Sequence, residues 1–480
     1  MKYKPLLLSA LSTVALAQQE DCAADSTYPP SADAGSILKR DVCIVGGGSA
    51  GIYSAVRLRE LGKSVVVIES SERLGGHCEV YTDPVTGGTI DAGVVVFHNT
   101  SLVRDYFGRF NISLFGAPID AAASAASTLP IDFKLGVSVP VDASSVAAGL
   151  AAGFAGYGAQ LAQYPYLESG FDLPYPVPED LLLPFQGFLE KHNLTNPAFV
   201  QFVYTFAQGL GDILELPTIY ILSNFHSYIL QALGSVGDAA FLTNGPGGCQ
   251  LLYTAAGASL GEDILLSSHV ASMDRDASDS YASVVIQTAD GSSIDAQCGK
   301  ILVAAPPTPE ALPGFDLSVN ETELFSQFTG YSYHTTVIRN SGIPANTSAS
   351  NIAFDQPYFI PALPSPYNIL QSGIPDLISL KYISNSSVTR EFVEQDILTT
   401  LPRLQIAGKN TTAEPEIVFY SNHARFELHV GSQAIRDGFY AKLYDLQGER
   451  KTFYTGAAWH THDSSYIWKF TEALLPRIIE

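Results

Sequence analysis

Two apolar runs with a helical stretch between them dominate the hydrophobic pattern near the start of the chain. Asp41-Val42-Cys43-Ile44-Val45 is short and β-branched, Ile52 to Leu61 spaces its apolar residues for one helical face, and Ser64-Val65-Val66-Val67-Ile68 is a second run ending on Glu69. The pattern predicts strand, helix, strand, with Gly46 to Gly51 as the first turn and Gly62-Lys63 as the second. Farther on, Val284 to Thr288 turns at Asp290-Gly291 into Lys300 to Ala305, and Phe453 to Trp459 reads as a strand entering a glycine turn. Asp463 or Ser464 is suited to cap a helix from Ser465 to about Leu475. Between these blocks the period predicts helices over Asn196 to Gln208 and Pro217 to Leu233, and short strands over Tyr333 to Arg339 and Ile417 to Tyr420. The apolar stretch Val146 to Ala162 is mostly Ala and Gly and contains a Tyr and a Gln, so it reads as core or loop packing rather than a membrane span.

The first turn carries chemistry. Gly46, Gly48 and Gly51 fill the three positions of G-x-G-x-x-G, with Ser49 where the helix begins. The first glycine permits the turn, the second lets a pyrophosphate approach the backbone, and the third lets helix and strand pack closely. The helix amides and dipole then face phosphate. Glu69, at the end of the second strand, is placed to accept both hydroxyls of an adenosine ribose.

Composition narrows the classes. Asp+Glu number 48 against Lys+Arg 26, a net charge of -22 that argues against nucleic acid and anionic membrane surfaces as partners. With only 15% charged residues the chain is a compact globular one. Met1 to Ala17 reads as a secretory signal cleaved after Ala17, from Lys2 and Lys4, the apolar Leu6 to Leu16 and the small-residue site Ala15-Leu16-Ala17. The expected location is the secretory lumen or outside the cell, with N-glycans on some of the sequons at Asn99, Asn111, Asn193, Asn320, Asn346, Asn385 and Asn410. The cysteines Cys22, Cys43, Cys78, Cys249 and Cys298 are too sparse for a disulfide scaffold; Cys43 is expected as a buried thiol, with one disulfide among the others. No clustered His/Cys set points to a metal.

The array Glu69-x-x-x-Arg73-x-Gly75-Gly76 resembles the FAD signature of the flavin amine oxidase superfamily. That resemblance implies that Arg73 and the backbone of Gly75, Gly76 and His77 approach the diphosphate and ribityl chain. It makes Ile90 to His98 the segment that passes the flavin ring, Val270 a backbone contact to adenine, and Gly456 with the helix start at Ser465 the flavin-proximal turn. His77 stands where the amine oxidases usually have Arg, Val80 where a Ser/Thr often follows, and Ala457 where they commonly have Glu; all three turn the reading away from ordinary amines. Tyr454 to Trp459 and Asp463 to Trp468, with the leader and Arg73-Leu74-Gly75-Gly76-His77, are similar to secreted fungal flavoproteins of the β-cyclopiazonate dehydrogenase family.

The resemblance implies an α/β fold with an α+β cap: an FAD-binding Rossmann-like domain of the amine oxidase type from 38–110, 241–315 and 449–480, and a discontinuous substrate domain from 111–240 and 316–448. It implies an FAD-dependent oxidase or dehydrogenase taking hydride from a small, largely apolar secondary metabolite, with non-covalent flavin reoxidised by O2. The alternatives are an FAD-dependent isomerase with no net oxidation and a secreted flavin-binding protein without catalysis. His98, after the Gly93 segment, is the first candidate to orient substrate or move a proton. His334 is the second, in the strand where amine oxidases often place a lysine that this strand lacks.

Overall fold

Leu38–Val45 (β1), Ser49–Glu60 (α1) and Val65–Ile68 (β2) form the expected unit in the computed structural model, which describes residues 37–117, 128–206, 209–234, 240–245, 247–410 and 413–480. The leader Met1 to Ala17, Cys22 and Gln208 lie outside these residues. β1 runs parallel to β2 and to Ser293–Val303, so Val45 has Ile68 on one side and Val303 on the other. All four residues of β2 are buried, as the unbroken apolar run requires of a strand covered on both faces. Thr452–Tyr454 extends the sheet beside Ser293–Val303, and Ala282–Gln287 and His269–Asp274 continue it antiparallel. This seven-stranded sheet carries the cofactor motifs.

A second seven-stranded sheet centres on Thr329–Arg339, which pairs antiparallel with Leu377–Asn385 and Glu416–His429. Helix Arg390–Arg403 covers one face through Val393, Ile397 and Leu401; the other face turns Tyr333, Ile383 and Phe426 into the largest core. Residues Ile37–Glu480 hold together as one compact unit. The stretch Val146 to Ala162 is a helix, Ala143–Leu161, started by Asp142, whose carboxylate accepts Ser145 N. Its small residues let Pro197–Phe206 pack close: a Cβ on Gly153 would lie 2.3 Å from the Phe199 ring. No helix among the described residues is long and apolar enough to cross a membrane. The single helix expected over Pro217 to Leu233 breaks at Phe225-His226 into Thr218–Asn224 and Ser227–Gly234, because Phe225 leaves helical dihedrals.

Two disulfides correct the cysteine reading. Cys43 is no free thiol; it bonds Cys298 on the neighbouring strand, with Cα atoms 5.6 Å apart. Cys78 bonds Cys249, clipping the end of the second glycine pair to the start of helix Gln250–Leu260.

Candidate active site

The two glycine pairs form one cradle. Gly75 N donates to Gly47 O at 2.9 Å, and Gly48 bridges Gly75 in parallel. A Cβ on Gly51 would sit 1.9 Å from Gly46 O, so this helix start tolerates no side chain, whereas Gly48 faces open space with Gly76 Cα its nearest neighbour at 3.8 Å. No side chain caps α1 and no acid stands in its first turn, which leaves the positive helix end for an anion. Glu69 accepts Gly47 N at 2.6 Å through one oxygen and Ser71 N at 2.7 Å through the other, fixing the carboxylate at the cradle's edge. Ser268 N donates to Glu69 O, tying the residues just before Val270 to the end of β2. Arg73 is spent within its own loop: it pairs with Glu79 and donates to Gly76 O and Cys78 O, bracing the turn. These residues fit the diphosphate and ribose of FAD.

The C-terminal turn completes the cradle. Thr455 N donates to Val303 O, Gly456 adopts φ +114°, and Asp463 caps Ser464–Ile479 by accepting Tyr466 N at 3.0 Å. Trp468 Nε1 donates to Ser49 Oγ at 3.0 Å, locking this helix to the start of α1. Ser465 Oγ accepts His98 N, and His98 Nε2 lies 2.9 Å from Asp463 Oδ2. His98 stacks on Tyr228 at 4.2 Å and lines a cavity of about 380 Å³ with Glu168, Ser465, Tyr466 and Lys469.

Strand parity decides which side chains of the second sheet face the cofactor sheet. Tyr333 pairs with His423, and Thr335 with Lys381, on the inner face. His334 points the other way, and this corrects its proposed place at the site. Its nitrogens are taken by Tyr420 Oη and Ser384 Oγ at 2.8 Å each, toward the layer covered by Arg390–Arg403. Burial holds it neutral, at about 4.

Beside His77, already expected at the cofactor, the inner wall holds residues whose place sequence reasoning missed, among them His423, Phe426, Glu427 and Lys381. His77 stacks on His423 at 4.4 Å, His462 on Phe426 at 4.0 Å, and Tyr333 on Phe426 at 5.1 Å. His77 is ringed by protein yet open to the cleft, as befits a group lining an internal space. Burial pushes His77 well below the usual histidine range, brings His462 to about 3, and lowers His423 despite nearby Glu79. His462 Nε2 accepts Glu427 N at 2.7 Å, so it is unprotonated there. Burial also raises the Glu427 carboxyl to about 8, and although the two side chains approach within 3.8 Å they are no ion pair. Lys381 is buried too, donates to Ala92 O at 2.8 Å, and is brought down to about 8 by burial against the opposing pull of Asp91. The lysine missing from Thr329–Arg339 thus has a counterpart one strand over. A lone Lys in the run Leu377 to Ile383, apolar but for Ser379 and the Tyr382 hydroxyl, was its signal.

Known proteins are similar to this chain in sequence and fold. The chain belongs to the flavin-containing amine oxidoreductase family, whose pattern matches residues 49–346, and it is an FAD-dependent oxidoreductase. It is 41% identical over 454 residues to the FAD-dependent oxidoreductase oblC of Cochliobolus heterostrophus, covering 92% of each chain. It is 32% identical to the beta-cyclopiazonate dehydrogenase of Aspergillus oryzae, over 93% of this chain and 94% of that one. Among solved structures, the CLA-producing fatty acid isomerase from P. acnes superposes with a TM-score of 0.74 at 19% identity, over 91% of this chain and 98% of that one.

Proposed function

We propose that this chain is a secreted oxidase of a small, largely apolar secondary metabolite, with O2 as the final electron acceptor. The observation that carries the reading is the wall of His77, His423, His462, Phe426 and Tyr333: its histidines are held below the usual histidine range and the one carboxylate against it, Glu79 beside His423, is already paired with Arg73, so it offers flat, largely apolar surface to a substrate. When bound, FAD supplies the two-electron acceptor. The wall excludes water and orders an aromatic or aliphatic substrate, Glu427 accepts from Asn224 Nδ2 through its carboxyl and donates its backbone N–H to His462 Nε2, and Lys381 fixes the Ala92-Gly93 segment. The segments 38–110, 241–315 and 449–480 serve as cofactor domain, with 111–240 and 316–448 as cap.

Secretion is supported by the leader Met1 to Ala17 and by the bonds Cys43–Cys298 and Cys78–Cys249, which persist in oxidising compartments. The sequons at Asn111, Asn193, Asn320, Asn346, Asn385 and Asn410 are exposed, whereas Asn99 is half-buried and accepts Arg104 Nε. Digestion of the secreted protein with a glycan-removing amidase is expected to shift its mass, and its first residue should be Gln18.

Metabolite profiles of the host with and without the gene identify the accumulating substrate, and an oxygen electrode then tests the reaction on the purified flavoprotein. One O2 consumed and one H2O2 formed per turnover is the expected result. The second reading is isomerisation without net oxidation, favoured by Gly75-Gly76-His77 and the fold shared with the fatty acid isomerase. Turnover with no O2 uptake and no added acceptor would establish it and refute the oxidase.

A further inference from the structure

We propose that His98, His226 and Asp463 bind one divalent transition-metal cation, with Zn2+ the ion their chemistry suits. Each offers one ligand atom, and the three atoms lie within 4.8 Å of one another although their residues are far apart in sequence. Two imidazoles and a carboxylate are the donor set of many mononuclear sites.

His226 supplies the independent observation. Its side chain is 3% exposed, and neither ring nitrogen has a hydrogen-bond partner. Buried polar atoms without partners are uncommon and destabilising. The break between Thr218–Asn224 and Ser227–Gly234 turns His226 inward, and Tyr466, at 4.2 Å, packs against its ring. Tetrahedral coordination at about 2.0–2.2 Å sets donors about 3.4 Å apart. The His98–Asp463 contact of 2.9 Å opens by about half an ångström, and His226 swings in by a little more than one. Asp463 keeps its other oxygen on Tyr466 N, so the cap survives binding. His98 also lines the cavity of about 380 Å³, which gives a cation its route in.

The test uses the full-length flavoprotein, stripped with EDTA and titrated with Zn2+ against a chromophoric chelator. One equivalent of Zn2+ is expected for the wild type. His226→Phe fills the same space without a donor, and Asp463→Asn retains the helix cap while removing the anionic ligand. Each is expected to weaken binding at least ~100-fold, while His192→Ala, at a separate His–Asp pair, binds as the wild type does. Retained flavin and an unchanged melting temperature show that the variants fold. No equivalent bound by the wild type, or loss in fewer than both ligand variants, overturns the three-ligand site. In that event His98 and Asp463 are a hydrogen-bonded pair and His226 is packing.

Discussion

Glu427→Gln isolates the energetic cost of a buried acid. Glu427 is 4% exposed, and burial lifts its carboxyl from 4.5 to about 8. A carboxyl whose folded value is raised stabilises the fold fully below pH 4.5, and that contribution is lost as the pH rises toward 8. At about 1.36 kcal/mol per unit, the loss reaches about 3 kcal/mol at pH 7 and about 5 kcal/mol above pH 8. For a chain of this size each kcal/mol moves the melting temperature by about 1 °C. Asn224 Nδ2 donates to the carboxylate oxygens at 3.2 and 3.3 Å, and glutamine keeps one acceptor for it. Residue 427 has φ +49° in either protein, so backbone strain cancels. The buried histidines titrate in the opposite sense below pH 6.5, so the readout is the difference in melting temperature between wild type and variant from pH 5 to 9. The variant should gain on the wild type by about 3 °C by pH 7 and about 5 °C by pH 8.5. Parallel curves across that range would mean that water reaches the carboxyl and would refute its burial as an acid.

Lys381→Met tests the opposite sign. Its folded value is lowered from 10.5 to about 8, so its stabilising contribution is complete above pH 10.5 and is lost as the pH falls through 8. The variant should lack a rise of about 3 kcal/mol between pH 8 and 10.5, read in the same melting series. Gly51→Ala, with its Cβ 1.9 Å from Gly46 O, should yield protein without FAD, seen as missing flavin absorbance after purification. Replacing Cys78 and Cys249 together by Ser removes a cross-link spanning 171 residues, and melting should fall by about 5 °C from a chain-entropy loss of about 5 kcal/mol.

The cradle was legible because its parts are local. Gly46 to Gly51 lie within one strand–helix–strand unit and Glu69 and the Gly75-Gly76 pair follow directly on its last strand, so glycine geometry and the helix dipole act over a short stretch of chain. The substrate wall was not, because it depends on register. In Thr329–Arg339 a one-residue step exchanges Tyr333 for His334 and inner face for outer, and only pairing with Leu377–Asn385 and Glu416–His429 sets which is which. His423 and Lys381 reach the site through those pairings and Glu427 through the register shift between Thr329 and Tyr331, and the one local signal among them was the lone Lys381 in its strand. Cys43 misled for the same reason: its partner is on a strand 255 residues later.

The order of strands in the cofactor sheet sets a timetable for synthesis. β1 lies between β2 and Ser293–Val303, and Thr452–Tyr454 joins last, so a chain emerging from its N-terminus carries one open edge of β1 until most of the protein exists. At about 5–20 residues per second, Cys43 waits roughly 10–50 s for Cys298. Before Cys298 emerges, the sulfurs that become available to Cys43 are those of Cys22, Cys78 and finally Cys249, none of them its partner in the finished fold. Both bonds join an early cysteine to a late one, and the yield of active protein in any production host is therefore set by how well that host protects or reshuffles early thiols.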